Sequence, residues 1–444
     1  MKNKHIILSV VVAAISVIPA FAQNETPADT LTLSLEQCRR MALCGNASTK
    51  TAVNNIKAAK ETSDEAFTRY FPDISASGMS FWANHDIIQY NVMDMFQLGM
   101  VKKGVAAGVT AVQPIFAGGQ IVNGNALAHL GEQVAELKKQ QTDEEVLASV
   151  DQYYWKLVSL HSQKETLASL IEMLDTLTYQ TQAAVDAGVT LKNDLLKVEL
   201  QRNDFKATMI DLDNGIALCS NLLGQYIGAG LRPVNVTERV AVGDLPEFAY
   251  DMWRNPQDAV SNTPAYGMLN SAIRAAELEK KMTIGSNLPT VGLGAGWYYH
   301  TLLEQKHNFG AVFIAVNVPL SGWWGGSHAI KKKNLELQNA RIQFEDGQEM
   351  LQIAMRDAWD NLTSAYRKME NAHEAIGQAD ENLRLNQNYY NVGVSTITDL
   401  LDAQTLYRRA CDQYIAAYSD YKVKSTEYLK ATGQLSQDLA ISGQ

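Results

Sequence analysis

Two long stretches of the chain carry apolar residues at alternating steps of three and four, the seven-residue pattern of a coiled-coil helix. In the first stretch, which Lys164 interrupts, these are Val146, Val150, Tyr153, Leu157, Leu160, Leu167, Ile171 and Leu174. In the second they are Leu351, Met355, Ala358, Leu362, Ala365, Met369, Ala372, Ile376, Ala379 and Leu383. This period predicts left-handed supercoiling. A helix over residues 119–188 would be on the order of 100 Å long.

A period of two replaces the helical period before each long stretch. In residues 290–300 and 309–318, apolar residues alternate with small or polar ones. One face of the first segment consists of Val291, Leu293, Ala295, Trp297 and Tyr299. Strands of about ten residues with this alternation are typical of membrane β-barrels. A half-buried sheet in a soluble domain would alternate similarly, so the pattern alone leaves both classes open.

The chain contains two copies of one large unit. The interval from Pro114 to Gly188 has the same length as that from Pro319 to Gly393, and similar sequences stand at both ends. Glycine adopts the left-handed turn conformation at little cost, so each long helix is expected to end at its glycine. A period of about 200 residues is too long for a solenoid repeat. Each copy therefore reads as helix, β-hairpin, very long helix, tight turn and returning helix.

The pattern divides the chain into five parts. They are a signal peptide (1–22), repeat 1 (23–225), an irregular linker (226–261), repeat 2 (262–433) and a C-terminal tail (434–444). Repeat 1 is predicted to hold helices at about 35–70, 119–187 and 190–225, with strands at about 73–83 and 105–114. Repeat 2 is predicted to hold helices at about 265–285, 326–391 and 395–430, with strands at about 290–300 and 309–318. The hairpin tips are predicted loops at about 84–104 and 301–307.

The N-terminus indicates export. Lys2 and Lys4 precede an apolar run at 6–18, and Ala20-Phe21-Ala22 fits a cleavage site for a secretory signal peptide. Beyond residue 22 no apolar run is long enough for a membrane helix. An exported chain of this kind is either soluble or crosses a membrane with strands.

The composition narrows the function. Charged residues make up 19% and hydrophobic residues 46% of the 444 residues, which indicates a folded protein. The net charge of −10, with no basic cluster beyond 331–333, argues against a nucleic-acid partner. Cys38, Cys44, Cys219 and Cys411 are scattered, and we interpret them as small buried hydrophobic residues rather than disulfides.

Motifs for catalysis, metals or cofactors are not found. The histidines are scattered, and neither H-E-x-x-H nor C-x-x-C occurs. The glycines between Gly292 and Gly296 lie in a predicted strand and open no helix, so they do not form a dinucleotide loop. We therefore expect no enzyme activity, no cofactor and no metal site.

Two hairpins supply four strands, which leave two open sheet edges. Lipid does not tolerate open edges, and the smallest usual barrels have about eight strands. A membrane sheet in this protein must therefore close between chains. This argument does not choose between two chains and three.

Three sequence features carry a family resemblance. They are Leu35-Glu-Gln-Cys-Arg-Arg-Met-Ala-Leu43, the strand-Pro-x-x-x-Gly boundary found in both copies, and Tyr390-Asn-Val-Gly-Val-Ser-Thr-Ile-Thr-Asp-Leu-Leu-Asp-Ala-Gln-Thr-Leu-Tyr407. In this order and spacing, the chain resembles TolC-type outer-membrane efflux proteins over essentially its whole mature length. The resemblance implies a mainly α fold with membrane β-strands. It further implies a homotrimer whose twelve-stranded β-barrel continues into a twelve-helix periplasmic α-barrel.

The resemblance also implies a function. A protein of this class is a passive duct that exports small molecules and has no enzyme activity. Its partners would be a periplasmic adaptor (membrane fusion) protein, an inner-membrane transporter of the RND or ABC type, and outer-membrane lipid. Two alternatives remain: a type I protein-secretion duct of the same fold, and a soluble periplasmic helical scaffold or adaptor.

Two acidic residues are candidates for a pore constriction. Asp399 and Asp402 are three positions apart and share a face of the predicted returning helix. The resemblance implies that acids at these positions ring the periplasmic aperture. Alternatively, acids in a first helical turn favour the helix dipole. Asp399 aligns with Asp194 of repeat 1 but Asp402 aligns with Lys197, so the dipole explains Asp399 in part and does not explain Asp402.

The resemblance also implies a latch around this aperture. Tyr390 matches a family tyrosine that helps hold the aperture closed, and Asp194 matches its acidic partner across the tip. Ser395 occupies the position of the family's latch arginine. Our hypothesis is that fewer charge-assisted bonds hold this aperture, so that it opens more readily.

The remaining candidates lie at the two ends of the long helices. The resemblance implies that an adaptor docks at the helix tips formed by Gly188, Val189, Gly393 and Val394. Aromatic residues near the strands are typical of a membrane-interface belt, namely Trp297, Tyr299, Trp323 and Trp324. Four tyrosines at a spacing of seven are expected to pack between helices: Tyr407, Tyr414, Tyr421 and Tyr428.

Overall fold

A computed structural model gives the structure of most of the chain. It describes residues 30–85, 87–92, 96–100, 102–243, 245–301, 306–320 and 322–435. The predicted signal peptide at 1–22 lies outside the described residues, as does the tail after 435. Nothing is described of the side chains of 88–92, 96–100 and Trp323.

The described residues form eight α-helices. They are α1 (Leu35–Gly45), α2 (Ala47–Thr68), α3 (Gln120–Asp186), α4 (Lys192–Tyr226), α5 (Pro256–Ala259), α6 (Pro264–Gly285), α7 (Gly322–Asn391) and α8 (Ile397–Ala431). The single helix predicted at 35–70 is therefore wrong, because the chain divides into α1 and α2 at Asn46. Asn46 has an extended backbone (φ −63°, ψ 140°), and its side chain accepts a hydrogen bond from the Ser48 N–H.

The strands include one four-stranded sheet. The strands are β1 (Leu31–Leu33), β2 (Asp73–Trp82), β3 (Ile88–Val92), β4 (Phe96–Met100), β5 (Lys103–Phe116), β6 (Val234–Val236), β7 (Thr290–His300) and β8 (His307–Asn317). The sheet has the order β2-β5-β7-β8 with every pair antiparallel. Both repeats thus contribute one hairpin to one sheet, and β2 and β8 form its edges.

The two faces of this sheet differ. Large apolar side chains are exposed on one face, namely Ile74, Val109, Leu293, Trp297, Val312, Ile314 and Val316. The opposite face includes Gly292, Gly294 and Gly296 of β7. Small and polar residues predominate on this second face, which also carries exposed Met79 and Phe309, so one face is more apolar than the other, as in the strands of membrane barrels.

Two segments contain more regular structure than the sequence pattern indicated. The first hairpin tip, predicted as a loop at 84–104, contains the antiparallel pair β3 and β4. Its sequence alternates apolar and polar residues there, which is the pattern of a strand. The linker at 226–261, predicted to be irregular, contributes β6, which pairs in parallel with β1, and the short helix α5.

The long helices pack as neighbours in a layer. Among the long helices, α3 packs against α4 and α8, and α8 packs against α7. A core near the tips draws on all four helices and includes Leu174, Phe205, Leu383 and Leu400. Burying a leucine contributes about 1.5–3 kcal/mol, so this core holds the two helical hairpins side by side.

A second core lies at mid-height, where the linker covers the helices. Tyr414, Tyr421 and Tyr428 are almost fully buried there, and Tyr407 is half-buried. The rings of Tyr428 and Trp359 are 5.0 Å apart, and those of Tyr421 and Tyr366 are 5.4 Å apart. The contacts show that the tyrosines at a spacing of seven pack between elements.

A buried polar contact joins three helices at this height. Asp151 of α3 has no exposed surface. Arg39 of α1 donates to both of its carboxylate oxygens, from Nε at 2.8 Å and from Nη2. Thr426 of α8 donates its hydroxyl to the same carboxylate. A bidentate Arg–carboxylate pair has a fixed geometry, so α1, α3 and α8 are held at one point.

The four cysteines are free thiols. Cys38, Cys219 and Cys411 are buried, whereas Cys44 is exposed. Burial raises the pKa of Cys38 to about 12 and the pKa values of Cys219 and Cys411 to about 11. The buried thiols therefore stay protonated at neutral pH.

Within the described residues, no helix combines the length and apolar character that a membrane-crossing helix needs.

Candidate functional site

The tips of the two long helical hairpins have nearly identical turns. Gly188 and Gly393 have left-handed backbones, with φ of 73° and 77°. After each glycine, the valine N–H bonds back to a helix carbonyl: Val189 to Ala184 at 2.9 Å and Val394 to Tyr389 at 2.8 Å. This is the hydrogen-bond pattern of a glycine helix cap.

The tips expose apolar side chains. Val189 is 80% exposed and Val394 is 76% exposed, and Leu191 and Val392 beside them are also exposed. Apolar residues exposed together at the end of a helical hairpin are typical of a protein-binding surface.

Asp399 caps the helix that it begins. Its carboxylate accepts hydrogen bonds from the Thr396 hydroxyl (2.6 Å), the Thr396 N–H (3.0 Å) and the Ser395 hydroxyl (3.2 Å). Thr396 in turn accepts a bond from the Asp399 N–H, which completes a capping box. The Thr396 side chain, followed by the Thr396 backbone N–H, lowers the pKa of Asp399. Ser395 also donates to Asn386 at 3.4 Å.

Asp402 differs from Asp399 although it is less than one turn away. Its side chain is exposed, and in the described part of the chain it forms no hydrogen bond or ion pair. The same face of α8 also carries Arg409 and Asp420, which are exposed and lie further from the helix tip. Tyr390 is half-buried and packs against the core near the tips, so its ring has a packing role.

Lys197 joins the two hairpins, a contact that the sequence did not predict. Its ammonium lies 3.3 Å from an Asp194 carboxylate oxygen and donates to the Thr398 hydroxyl of α8 at 3.1 Å. Asp194 also accepts a bond from Thr190 at 3.2 Å. Asp194 is therefore engaged by its own hairpin, and Lys197 reaches the other one.

Two further contacts continue this line between α4 and α8. The Gln201 amide donates to the Thr405 hydroxyl at 3.2 Å. The Arg408 guanidinium lies 5.1 Å from the centre of the Phe205 ring, within the range of a cation–π interaction. These polar contacts lie beside the apolar core near the tips, so the hairpins of the two repeats meet through both.

The aromatic residues at the other end lie near the sheet. Trp297 and Tyr299 are exposed on its apolar face. Trp324, in the first turn of α7, is 83% exposed. The side chain of Trp323 is outside the described residues. Among the described residues, no group of three or more histidine, cysteine, aspartate or glutamate side chains is placed to hold a metal.

The sequence matches the family model described as "Outer membrane efflux protein" at residues 39–229 and 255–434. These two segments cover most of the chain and correspond to the two repeats. The chain belongs to this family. The resemblance stated from the sequence is thereby confirmed.

Individual relatives agree with this assignment. The outer membrane efflux protein BepC of Brucella suis biovar 1 (strain 1330) is 24% identical over 341 residues, which are 74% of this chain and 72% of BepC. The Campylobacter jejuni CmeC outer membrane channel superposes with a TM-score of 0.77 at 14% identity, covering 98% of this chain and 96% of CmeC. The open state of the Neisseria gonorrhoeae MtrE outer membrane channel gives 0.72 at 16% identity, covering 97% and 98%.

The protein is therefore an outer-membrane efflux channel. Its expected fold class is confirmed, because its helices and sheet follow the arrangement of solved outer membrane channels. The family consists of channels and is not an enzyme class. Such channels form trimers and work with adaptor and inner-membrane transporter proteins.

Proposed function

We propose that three copies of this chain close their sheets into one barrel and their helices into one periplasmic tunnel, whose gate lies at the helix tips. Two open sheet edges, β2 and β8, support closure between chains. The observation that carries the gate is the Lys197 bridge, because it joins the hairpins of the two repeats at their ends. Moving the hairpins apart would widen the tunnel there and break this bridge.

The gate lacks the arginine at position 395, and Lys197 supplies a different charged contact. The Ser395 hydroxyl contacts only its own hairpin, at Asp399 and at Asn386, within the described residues. We propose that this gate is held less tightly than one with an arginine latch. Single-channel recordings test this: Ser395→Arg is expected to lower the open probability. A wild-type pore that is already tightly shut, and that Ser395→Arg leaves unchanged, would show the proposal to be wrong.

Asp402 is proposed to set the charge of the aperture. Its carboxylate is exposed and unpaired within the described chain, whereas Asp399 is engaged in the cap. Three copies would place a ring of carboxylates around the pore, which favours cations. Reversal potentials in a salt gradient should show a lower cation preference in Asp402→Asn. Asp420→Asn, on the same helix face but far from the tip, is the control and should change little.

The exposed apolar tips are proposed as the docking site for the periplasmic adaptor, around Gly188, Val189, Gly393 and Val394. Photo-crosslinkers placed at Val189 and Val394 in cells should capture the adaptor of the same pump. A crosslinker at Leu231, which is 86% exposed in the linker, is the control and should not. Equal capture at all three positions would contradict docking at the tips.

The transport route follows from these assignments. We propose export across the inner membrane by a signal peptide at residues 1–22, a long periplasmic domain, and small-molecule cargo delivered by a transporter of the RND or ABC type. A deletion strain that becomes sensitive to toxic compounds would support small-molecule export. A strain that instead fails to secrete one protein would indicate a type I secretion duct.

A further inference from the structure

One basic segment has no part in the gate or the tips. Residues 274–285 and 322–341, where α6 and α7 adjoin the sheet, hold seven basic residues and three acidic ones. This excess of positive charge occurs in a chain whose net charge is −10. The three acidic residues, Glu277, Glu279 and Glu336, pair with Arg274, Arg341, Lys332 and Lys333.

Three lysines are left without an acidic partner among the described residues. Lys280 donates only to the Asn334 side-chain oxygen, at 2.8 Å. Lys331 and Lys281 are exposed and form no ion pair in the described chain. Unpaired ammonium groups that lie close together repel one another, and a bound anion would relieve that repulsion.

Lys280 and Lys331 line one groove between α6 and α7. Its volume is about 480 Å³, and its other lining residues are Ile330, Asn334, Leu335 and Gln338. Leu335 is exposed although it is a large apolar residue. The groove therefore offers positive charge beside an aliphatic surface, which suits a ligand with an anionic head and an apolar chain.

The groove lies on the outer side of the helix layer. Lys331 falls in register, at steps of seven, with Trp324 above it and with Trp359 and Tyr366 below it. The linker packs on Trp359 and Tyr366, since its Phe248 contacts both rings. A tunnel must stay open for transport, so the face covered by the linker is the outer one.

The position of Trp324 indicates the depth of the groove. Trp324, which is 83% exposed near the sheet, suits the membrane interface. Lys331 is seven residues further along α7, about 10 Å lower. The headgroup layer extends roughly 5–8 Å beyond the hydrocarbon, and lysine side chains extend toward it from below.

We propose that this groove binds an anionic phospholipid of the periplasmic leaflet, with Lys280 and Lys331 on the phosphate and Ile330 and Leu335 along the first part of an acyl chain. Lys281, one residue further along α6, adds positive charge at the rim. Bound lipid would hold the channel upright where its helices leave the bilayer. The site rests on the outer-membrane location and not on the gate, so its failure would leave the gate proposal standing.

Native mass spectrometry of the purified trimer tests this site. With phosphatidylglycerol added, the wild type should retain lipid that it does not retain with phosphatidylcholine. Lys280→Gln with Lys331→Gln should weaken this retention on the order of tenfold. Lys192→Gln with Lys206→Gln removes the same charge from exposed positions on α4 and should behave like the wild type.

Any of the following results would overturn the site. The wild type could retain both lipids equally, the Lys280 and Lys331 variant could retain phosphatidylglycerol as the wild type does, or the control variant could lose it to the same extent. A trimer that dissociates only in the Lys280 and Lys331 variant, seen by size-exclusion chromatography, would mean that these lysines bind a neighbouring copy instead. If inorganic phosphate stabilises the trimer as much as phosphatidylglycerol does, a lipid would also be excluded as the ligand.

Discussion

The Lys197 bridge makes a quantitative prediction about the gate. Replacing Lys197 by methionine keeps much of the apolar stem but removes the ammonium that contacts Asp194 and Thr398. Asp194 lies on the same helix as Lys197, so the contact that crosses between the hairpins is the hydrogen bond from the Lys197 ammonium to the Thr398 hydroxyl. The Lys197 side chain is 41% exposed, so this bond is worth about 0.5 kcal/mol. Three copies in a trimer make about 1.5 kcal/mol, which is roughly a tenfold change in the ratio of open to closed channels.

Single-channel recordings in planar bilayers measure this ratio. The open probability of Lys197→Met should exceed that of the wild type by about tenfold. Lys192→Met is the matched control, because Lys192 is exposed at the same tip and forms no ion pair in the described chain. If Lys197→Met and Lys192→Met behave alike, the bridge does not hold the gate.

Three further outcomes are expected. Gly188→Ala should lower the free energy of unfolding by about 1–2 kcal/mol, because φ is 73° at this position and alanine adopts that conformation at a cost. Gly377→Ala, inside α7 with open space around it, should raise the free energy of unfolding by about 1 kcal/mol. If both glycine variants shift the melting temperature equally, the argument is refuted. Hydrogen bonds from Thr396 lower the pKa of Asp399 in the folded state, so its stabilising effect is present above its unfolded pKa and is lost as the pH falls through the folded pKa. The melting temperature of the wild type should therefore fall more between pH 5 and pH 3 than that of Asp399→Asn, and equal falls would contradict the cap. A thiol reagent at pH 8 should label one cysteine per folded chain, Cys44, since burial raises the pKa of the other three thiols, and fast labelling of more than one would disagree.

The sequence predicted well what depends on local pattern. The seven-residue spacing marks helices whose cores lie between neighbours, and the turn glycines mark their ends, as Gly188 and Gly393 show. The break at Asn46 was missed although Gly45-Asn46 is a helix stop and a cap in one. The apolar spacing continues on both sides of it, and spacing alone does not reveal a change of direction.

The site was predictable only in part. The cap at Asp399 follows from Thr396-x-x-Asp399, a local motif that the competing pore role obscured. The Lys197–Thr398 bond joins residues that are 201 positions apart, and no local pattern encodes such a contact. The comparison of the two repeats identifies Lys197 as the residue that aligns with Asp402. It does not predict which residue the Lys197 ammonium contacts.

The contact of Arg39 and Thr426 with Asp151 acts as a fulcrum. It holds α1, α3 and α8 together at mid-height, and α3 continues from Asp151 to Asp186 with buried leucines packed against its neighbours. That length of helix is a lever arm of about 53 Å. A rotation of about 5° about the fulcrum moves the far end by nearly 5 Å, since displacement grows with the arm. A small rotation of α3 beside Asp151 would therefore become a larger displacement at the proposed gate. By the same geometry, an adaptor that docks at the tips needs only a small force to turn the helix.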